Sequence, residues 1–371
     1  MRLLITGGGT GGHIYPALAI ARGLLDRQSD STVLYVGTKQ GLEADIVPKA
    51  GLDFRTVTVQ GMPRKLSPEL FRFGWKLFRG LGEARNVIRE YKPDLVVGTG
   101  GYVCGPVVML AALAGVPTLL HEQNALPGIT NKLLARKVGM VAITFEEAAK
   151  YFPKGTRLLH TGLPIREEIL KVDRLSAFAR LGLNPEKRLV VVTGGSRGAR
   201  SLNQAMIKAY GKLANHTDTQ ILHVTGQQLY QETLDGLTSA GIDWMESGNI
   251  NIKPYLYNME DALAAADLMV CRAGATTLAE ITARGIPSIL IPYPFAAENH
   301  QEYNARALEQ QGAAFVIRDS DLKDEDLAQR VLGLFADKGR LESMGEASLA
   351  MGRPQALEQI LNAMGVLVKR S

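Results

Sequence analysis

Two consecutive α/β domains, each built on a parallel sheet covered on both faces, are what the 371-residue sequence predicts. Three observations lead there. Short apolar runs alternate with longer helical stretches, as buried parallel strands and their crossover helices require. Glycine-rich turns follow several of those runs. After Gly162-Leu-Pro164 the pattern starts afresh near residue 189, which places a joint near 163–167. The chain is also two to three times as long as an ordinary domain. The expected division is 1–163 plus a last helix at about 353–371, and 164–352.

The elements follow in order. Residues 2–6 form the first strand and Gly7–Gly12 the first glycine loop. A helix follows, with Ile14, Leu18, Ala21, Leu24 and Leu25 on one face. The second unit runs Asp94–Val97, Gly98–Gly101, Pro106–Gly115. The third runs Leu189–Thr193, Gly194–Gly198, Leu202–Leu213. Further buried strands are expected at Thr32–Val36, Thr118–His121, Met140–Thr144, Gln220–Thr225, Leu268–Cys271, Ser288–Ile291 and Ala314–Ile317. Ligands of such sheets bind beyond the carboxyl ends of the strands, so an interdomain cleft is the expected site.

Composition narrows the function. With 46% apolar and 21% charged residues the chain is globular. Two cysteines, Cys104 and Cys271, argue against a disulfide framework or a cysteine-rich zinc site and fit a reducing cytosol. The apolar stretch at the start is too short for a signal peptide. Leu95–Leu120 carries no charge, but glycines 98, 100, 101, 105 and 115 with Pro106 and Pro117 read as strand, loop, helix and strand, not a membrane span. Net charge is +5, unevenly shared: residues 1–163 hold 20 Lys and Arg against 12 Asp and Glu, residues 164–371 hold 22 against 25. A basic first half suggests an anionic partner.

The loop Gly7-Gly-Gly9-Thr-Gly-Gly12 follows a strand and opens a helix, as a dinucleotide site requires. The next strand, however, ends Tyr35-Val36-Gly37-Thr38, without the carboxylate that would hold a ribose, which argues against a nicotinamide cofactor. Glycines at a helix start still let backbone amides approach a diphosphate. His13 follows this loop and can accept a proton near neutral pH; capping the helix is its other role. His121-Glu-Gln-Asn124 ends a buried strand with four polar residues, costly unless they face a ligand or each other. After Leu268–Val270, the small residues Ala273–Ala275 turn the chain into a helix whose amides suit a pyrophosphate. Glu280, a little further on, could chelate ribose hydroxyls or be an ordinary surface carboxylate. The polar cluster Glu298-Asn-His-Gln-Glu-Tyr-Asn304 has the amides and carboxylates that read sugar hydroxyls.

The segments GGTGGHIYPALAIA (8–21), GTGGYVCGP (98–106), HEQNALPGITN (121–131), GLPIR (162–166), GGSRGARSLN (194–203), CRAGATTLAEI (271–281) and NHQEYNA (299–305) occur together in this order. The chain thereby resembles the bacterial peptidoglycan enzymes that add N-acetylglucosamine to lipid-linked muramoylpentapeptide. The resemblance implies a GT-B fold of two Rossmann-like domains and an inverting transfer from UDP-N-acetylglucosamine to the C4 hydroxyl of undecaprenyl-diphospho-muramoylpentapeptide. By motif, Leu256 would meet uracil through its backbone and Glu280 the ribose. Arg166, Ser196, Ala275, Thr276 and Thr277 would hold the diphosphate, with Leu278 and Ala279 in the same motif. Gln301 and His300 would read the sugar, His300 standing where some members have Gln. Thr10, Gly11, Gly12 and Asn124 would close over the donor. His13 is the candidate base and Glu122 its reserve. Cys104 reads as neutral packing. No cofactor is implied. Asp319-Ser-Asp321 and Asp324-Glu-Asp326 read as helix-start residues, so no catalytic metal is expected.

Residues 64–92 add a signal of their own. Ser67-Pro68 reads as a helix start, and Leu70, Phe73, Leu77, Leu81, Ala84, Ile88 and Tyr91 trace a core face. A second apolar stripe, Phe71, Trp75 and Phe78, is flanked by Arg72, Lys76 and Arg79. A helix needs one apolar face to join a core, so the spare stripe beside basic residues points to an anionic membrane surface, a helix buried on two sides or a protein interface being the other readings. The expected location is therefore peripheral, on the cytoplasmic face of a bacterial membrane, with other cell-wall synthesis or division proteins among the partners. No base-stacking platform or nucleic-acid motif accompanies the basic residues. A UDP-sugar 2-epimerase of the same architecture is the alternative enzyme.

Overall fold

The computed structural model describes residues 1–61, 69–322 and 326–369, with side chains from residue 74 onward in the helix Glu69–Tyr91. The chain divides into two compact units, Met1–Ile165 with Pro354–Ser371, and Arg166–Arg353.

The first unit holds a seven-stranded sheet. Its strands are β1 (Arg2–Thr6), β2 (Thr32–Gly37), β3 (Asp53–Thr56), β4 (Leu95–Gly98), β5 (Thr118–Glu122), β6 (Met140–Ile143) and β7 (Leu158–His160). Their order is β3-β2-β1-β4-β5-β6-β7, every pair parallel. Strand alternation divides the core in two. Leu3, Ile5, Tyr35, Leu95 and Val97 pack on one face with Ile14, Leu18 and Leu24 of helix Gly11–Arg27. Ile360, Ala363, Met364 and Leu367 of the last helix, Ala356–Lys369, complete that layer. Leu4, Leu34, Val36 and Val96 face the other way, onto Ala84, Val87 and Ile88 of helix Glu69–Tyr91 and Val107 and Val108 of helix Cys104–Leu113.

The second unit holds six strands, β8 (Arg188–Thr193), β9 (Thr219–Val224), β10 (Ile250–Lys253), β11 (Leu268–Cys271), β12 (Ser288–Leu290) and β13 (Ala314–Val316). Their order is β10-β9-β8-β11-β12-β13, again all parallel. Both sheets are thus doubly wound, and their order reverses between β1 and β4 and between β8 and β11. Crevices at such reversals are where open α/β sheets take ligands.

Three strands escape the sequence pattern: β3, β7 and β10. Each is a sheet edge. The residues of β3 and β7 are half-buried or exposed, and those of β10 are buried only alternately, so none shows a continuous apolar run. The expected helix start at Ser67-Pro68 lies outside the described residues.

Candidate active site

The three glycine loops and the turn Arg272-Ala-Gly274 sit at the two reversal points, because they follow β1, β4, β8 and β11. In the first unit the loops after β1 and β4 touch. Gly8 N–H donates to the Gly100 carbonyl at 3.3 Å. Gly101, at φ +83°, lies so close that a β-carbon there would be 2.3 Å from Gly8 O. Cys104 ties the same corner: its Sγ accepts from Gly100 N–H at 3.1 Å and donates to Thr6 O at 3.0 Å. That is more than the neutral packing expected of it.

A carboxylate does reach the first loop, from a residue the sequence pattern did not single out. Glu43, fully buried, accepts from Gly9 N–H at 3.1 Å and from the Thr38 amide and hydroxyl at 3.0 and 2.7 Å. The spacing after β2 hides it, since it enters from helix Glu43–Lys49. It takes the Gly9 amide, one of the donors that a diphosphate in this loop would need. Thr10 and Gly12 are exposed beside it and Gly11 is half-buried.

His13 stands in the first turn of helix Gly11–Arg27, its ring against Gly100. Its Nδ1 is 3.0 Å from Thr99 O and 3.1 Å from Gln123 Oε1. Burial lowers its pKa below the usual imidazole value, against the opposing pull of those two bonds. Gln123 in turn meets His121, whose Nε2 reaches Gly162 O at 3.0 Å.

Glu122, held in reserve as a base, does other work. It is 1% exposed, and both oxygens are taken. Oε1 accepts from the Asn124 amide at 3.0 Å and its side chain at 3.4 Å; Oε2 accepts from Gly128 N–H at 3.1 Å and Asn131 Nδ2 at 2.8 Å. Burial raises its pKa while these donors lower it. It folds the loop 124–131, which holds half-buried Asn124 in place, and it offers no lone pair to a substrate.

In the second unit the loop after β8 lies open. Gly195, Ser196 and Arg197 are exposed. Gly198, at φ +75°, passes so near β9's end that a β-carbon would lie 2.0 Å from Thr225 O. Helix Arg200–Leu213 and helix Ala275–Arg284 both start without a side-chain cap. Their first amides therefore remain to bind an anion. Around them lies a cavity of about 640 Å³, lined by Thr193–Ser201, Arg272, Gly274, Thr277, Tyr293, Gln301 and Asp319 among others. A smaller cavity of about 180 Å³ shares Thr193, Gly195, Ser196 and Thr277 with it and is closed by Tyr255, Leu256 and Glu280. The structure thus brings Ser196, Leu256, Thr277, Glu280 and Gln301 to two adjoining cavities.

Gln301 has one orientation available. Its Oε1 accepts from Tyr293 N–H at 2.9 Å, which leaves its amide N–H groups as donors. It is delivered by Glu298 and Asn299, at φ 52° and 56°, backbone that non-glycine residues rarely adopt. His300 turns Nδ1 to Ala297 O at 2.7 Å and does not line either cavity. Glu280 is largely buried, and burial pushes its carboxyl up to about 7; Arg166 pulls it down and Glu260 pushes it up. Arg166, expected at the diphosphate, pairs with Glu260 at 3.3 Å and lies near enough to Glu280 to act on its carboxyl.

Ala275, Thr276 and Ala279 are half-buried in the same helix. Leu278 departs from expectation: its side chain is fully buried in the core and its amide donates to Gly274 O at 3.0 Å, so it has nothing to offer a ligand. Asp319 departs as well. It is no helix-start residue but the partner of Arg272 at 2.5 Å and of Ser201 Oγ at 2.6 Å. Asp326 does cap helix Leu327–Ala336, accepting from Gln329 N–H at 3.0 Å, and Asp324 lies outside the described residues. Among the described residues no three His, Cys, Asp or Glu side chains are grouped to hold a metal ion.

On the helix Glu69–Tyr91, Trp75 is 68% and Phe78 75% exposed, while Ala84 and Ile88 on the core face are buried. Lys76 donates to Gln60 at 2.8 Å and Arg79 pairs with Glu83 at 2.8 Å. The side chains of Phe71 and Arg72 lie outside the described residues. Among the described residues no helix is long and apolar enough to cross a membrane.

Comparison with known proteins agrees with this layout. The model of the glycosyltransferase family 28 N-terminal domain matches residues 3–143 and that of the family 28 C-terminal domain residues 189–360. The UDP-N-acetylglucosamine–N-acetylmuramyl-(pentapeptide) pyrophosphoryl-undecaprenol N-acetylglucosamine transferase of Desulforamulus reducens is 53% identical over 370 residues, covering 100% of both chains. The Moorella thermoacetica protein of the same name is 53% identical over 368 residues, covering 98% of each. Of solved structures, Acinetobacter baumannii MurG superposes with a TM-score of 0.79 at 27% identity, over 98% of this chain and 99% of that one. A UDP-GlcNAc 2-epimerase from Neisseria meningitidis, solved with UDP-GlcNAc, gives 0.65 at 11% identity over 98% and 99%, a likeness of fold alone. The GT-B class expected from the sequence is the fold found. With both domain models matched and relatives above half identity along its whole length, the chain belongs to glycosyltransferase family 28.

Proposed function

We propose that this protein transfers N-acetylglucosamine from UDP-N-acetylglucosamine to the C4 hydroxyl of undecaprenyl-diphospho-muramoylpentapeptide, inverting the anomeric centre. One observation carries the reading. At the reversal point of the second sheet, uncapped amides, Glu280 and Gln301 surround adjoining cavities, whereas in the equivalent first loop the protein's own Glu43 already accepts from Gly9 N–H. The nucleotide half of the donor therefore belongs to the second unit, and the acceptor to the first. The relatives' names supply the same pair of substrates.

The reaction is a single displacement. The acceptor oxygen forms its bond to the anomeric carbon as the bond from that carbon to the diphosphate oxygen breaks. UDP leaves with the electron pair, and the hydroxyl proton passes to His13. The charge that develops on the diphosphate is met by the amides of Ser196 and Arg197, Gly195 and Gly198 N–H being bonded within the loop, and by the start of helix Ala275–Arg284. Holding both substrates in register supplies much of the remaining acceleration. Trp75 and Phe78, with Lys76 and Arg79 near them, seat the first unit on an anionic cytoplasmic membrane face, where the lipid-linked acceptor resides. Cell shape and division depend on the product as wall precursor.

The test is incubation of labelled UDP-N-acetylglucosamine with a lipid-linked or shortened-lipid muramoyl acceptor. A β-1,4-linked disaccharide is expected. Epimerised sugar without disaccharide, or binding without product, would overturn the reading.

A further inference from the structure

His13, Gln123 and His121 form a buried line of hydrogen bonds that ends on a backbone carbonyl, and the chemistry of its two ends leaves it one direction. The far end is His121 Nε2, 3.0 Å from Gly162 O. A carbonyl only accepts, so Nε2 carries the proton and His121 Nδ1 carries a lone pair. That lone pair is 3.0 Å from Gln123 Nε2. The same amide nitrogen is 2.7 Å from Thr99 O and 3.0 Å from His121 O, both acceptors. Turning the amide over would set its oxygen against all three, so the NH₂ group must lie there. Gln123 Oε1 is then fixed as the acceptor facing His13 Nδ1 at 3.1 Å, and Thr99 O is a second acceptor at 3.0 Å. Facing two acceptors, Nδ1 must be the protonated nitrogen.

We propose that Gln123 and His121 are positioning residues that lock neutral His13 in the Nδ1–H tautomer, so that Nε2 presents its lone pair to the acceptor hydroxyl. The inference rests on the reading of His13 as the base. Three features make the lock tight. Gln123 and His121 are buried, so water does not compete for their bonds. The Thr99 hydroxyl donates to His13 O at 2.8 Å, which clamps the residue's backbone to the same corner. Gly100, at φ +111°, leaves room for the ring; a β-carbon there would lie 2.8 Å from His13 Nδ1 and Cε1. Once Nε2 takes the hydroxyl proton, the imidazolium keeps its Nδ1–H on two oxygen acceptors, which stabilises the charge as it forms. The free imidazole of a surface histidine has no such preference, and each molecule in the other tautomer would be unable to act as a base.

The experiment reads the tautomer directly. The histidine ring nitrogens of ¹⁵N-labelled full-length protein are recorded by long-range proton–nitrogen correlation above pH 7.5, with His13 assigned by the loss of its signals in His13→Asn. A protonated-type frequency on Nδ1 and an unprotonated-type frequency on Nε2 are expected. Gln123→Leu should show mixed tautomers and lose about ten- to a hundredfold in kcat, less than the roughly 10²–10⁴ that a positioned base contributes because the base itself is kept, with the donor KM unchanged. Gln123→Glu keeps the acceptor toward His13 but sets its second oxygen against Thr99 O and His121 O, so it should recover little of the kcat. Finding His13 as Nε2–H in the native protein, or the tautomer unmoved in Gln123→Leu, would overturn the proposal. The native spectrum needs no substrate, so it stands or falls separately from the transferase assay. A wrong tautomer leaves the transfer reading intact, and absent transfer leaves the tautomer measurable.

Discussion

Arg272 and Asp319, 2.5 Å apart and 12% and 19% exposed, tie the end of β11 to the chain just after β13. The guanidinium also donates to Ile291 O and Pro292 O at 3.2 Å and to Ser201 Oγ at 3.0 Å. Four segments around the larger cavity of the second unit thus meet on one side chain, which has few donors left for a ligand. Asp319→Ala leaves this cation without its counter-charge. Removing one partner of a buried pair costs about 3–5 kcal/mol, and partial exposure brings the expected loss to about 2–3 kcal/mol. Urea unfolding should show it, with UDP affinity down about tenfold by titration calorimetry. A loss below about 0.5 kcal/mol would place the pair among ordinary surface bridges.

Glu280 should set the pH response of donor binding. Its carboxyl, pushed up to about 7 by burial, must be ionised to accept two ribose hydroxyls. Affinity for UDP should therefore weaken as pH falls below 7. Stability runs the other way. A carboxyl with a raised folded pKa binds more protons folded than unfolded, so its contribution is full below about 4.5 and is lost as pH rises to about 7. The whole shift is worth about 3 kcal/mol at most. Glu280→Gln should raise the melting temperature at pH 8, leave it unchanged at pH 4, and raise the donor KM more than about tenfold. A variant less stable than the native protein at pH 8 would contradict this.

Trp75 and Phe78 are exposed beside Lys76 and Arg79. Each buried aromatic is worth about 2 kcal/mol, so Trp75→Ser with Phe78→Ser should weaken binding to anionic vesicles at least about thirtyfold in a flotation assay. Turnover of a short-chain, water-soluble acceptor should be unaffected. Equal vesicle binding by variant and native protein would remove the membrane from the proposal.

Amide donors and helix starts can meet the charge on a departing diphosphate without a cation. Transfer is therefore expected to continue in excess chelator. Loss of activity that Mg²⁺ restores would show that the loops alone do not suffice.

The fold was legible wherever burial writes itself as an apolar run: central strands such as β1, β8 and β11 stand out because both faces are covered. The edges β3, β7 and β10 did not, since a half-covered strand needs no such run. In the site, glycine loops and helix starts were readable because backbone geometry demands particular residues. Contacts made by long side chains across the fold were not. Glu43 reaches Gly9 from 34 positions away, and Asp319 reaches Ser201 from 118. Glu122 illustrates the limit differently: its polarity was visible, but only the surrounding donors show that it folds a loop. Gln123 sat in view within His121-Glu-Gln-Asn124, yet its role depends on two carbonyls brought in from other strands and turns.

The central claim is that the second unit's glycine loop, and not the first's, holds the nucleotide. A structure determined with UDP-N-acetylglucosamine tests it most directly. The diphosphate should lie on the amides of Ser196 and Arg197 and of 275–277, with the ribose on Glu280. A nucleotide bound instead at Gly9–Gly12, with the Glu43 carboxylate displaced, would contradict it.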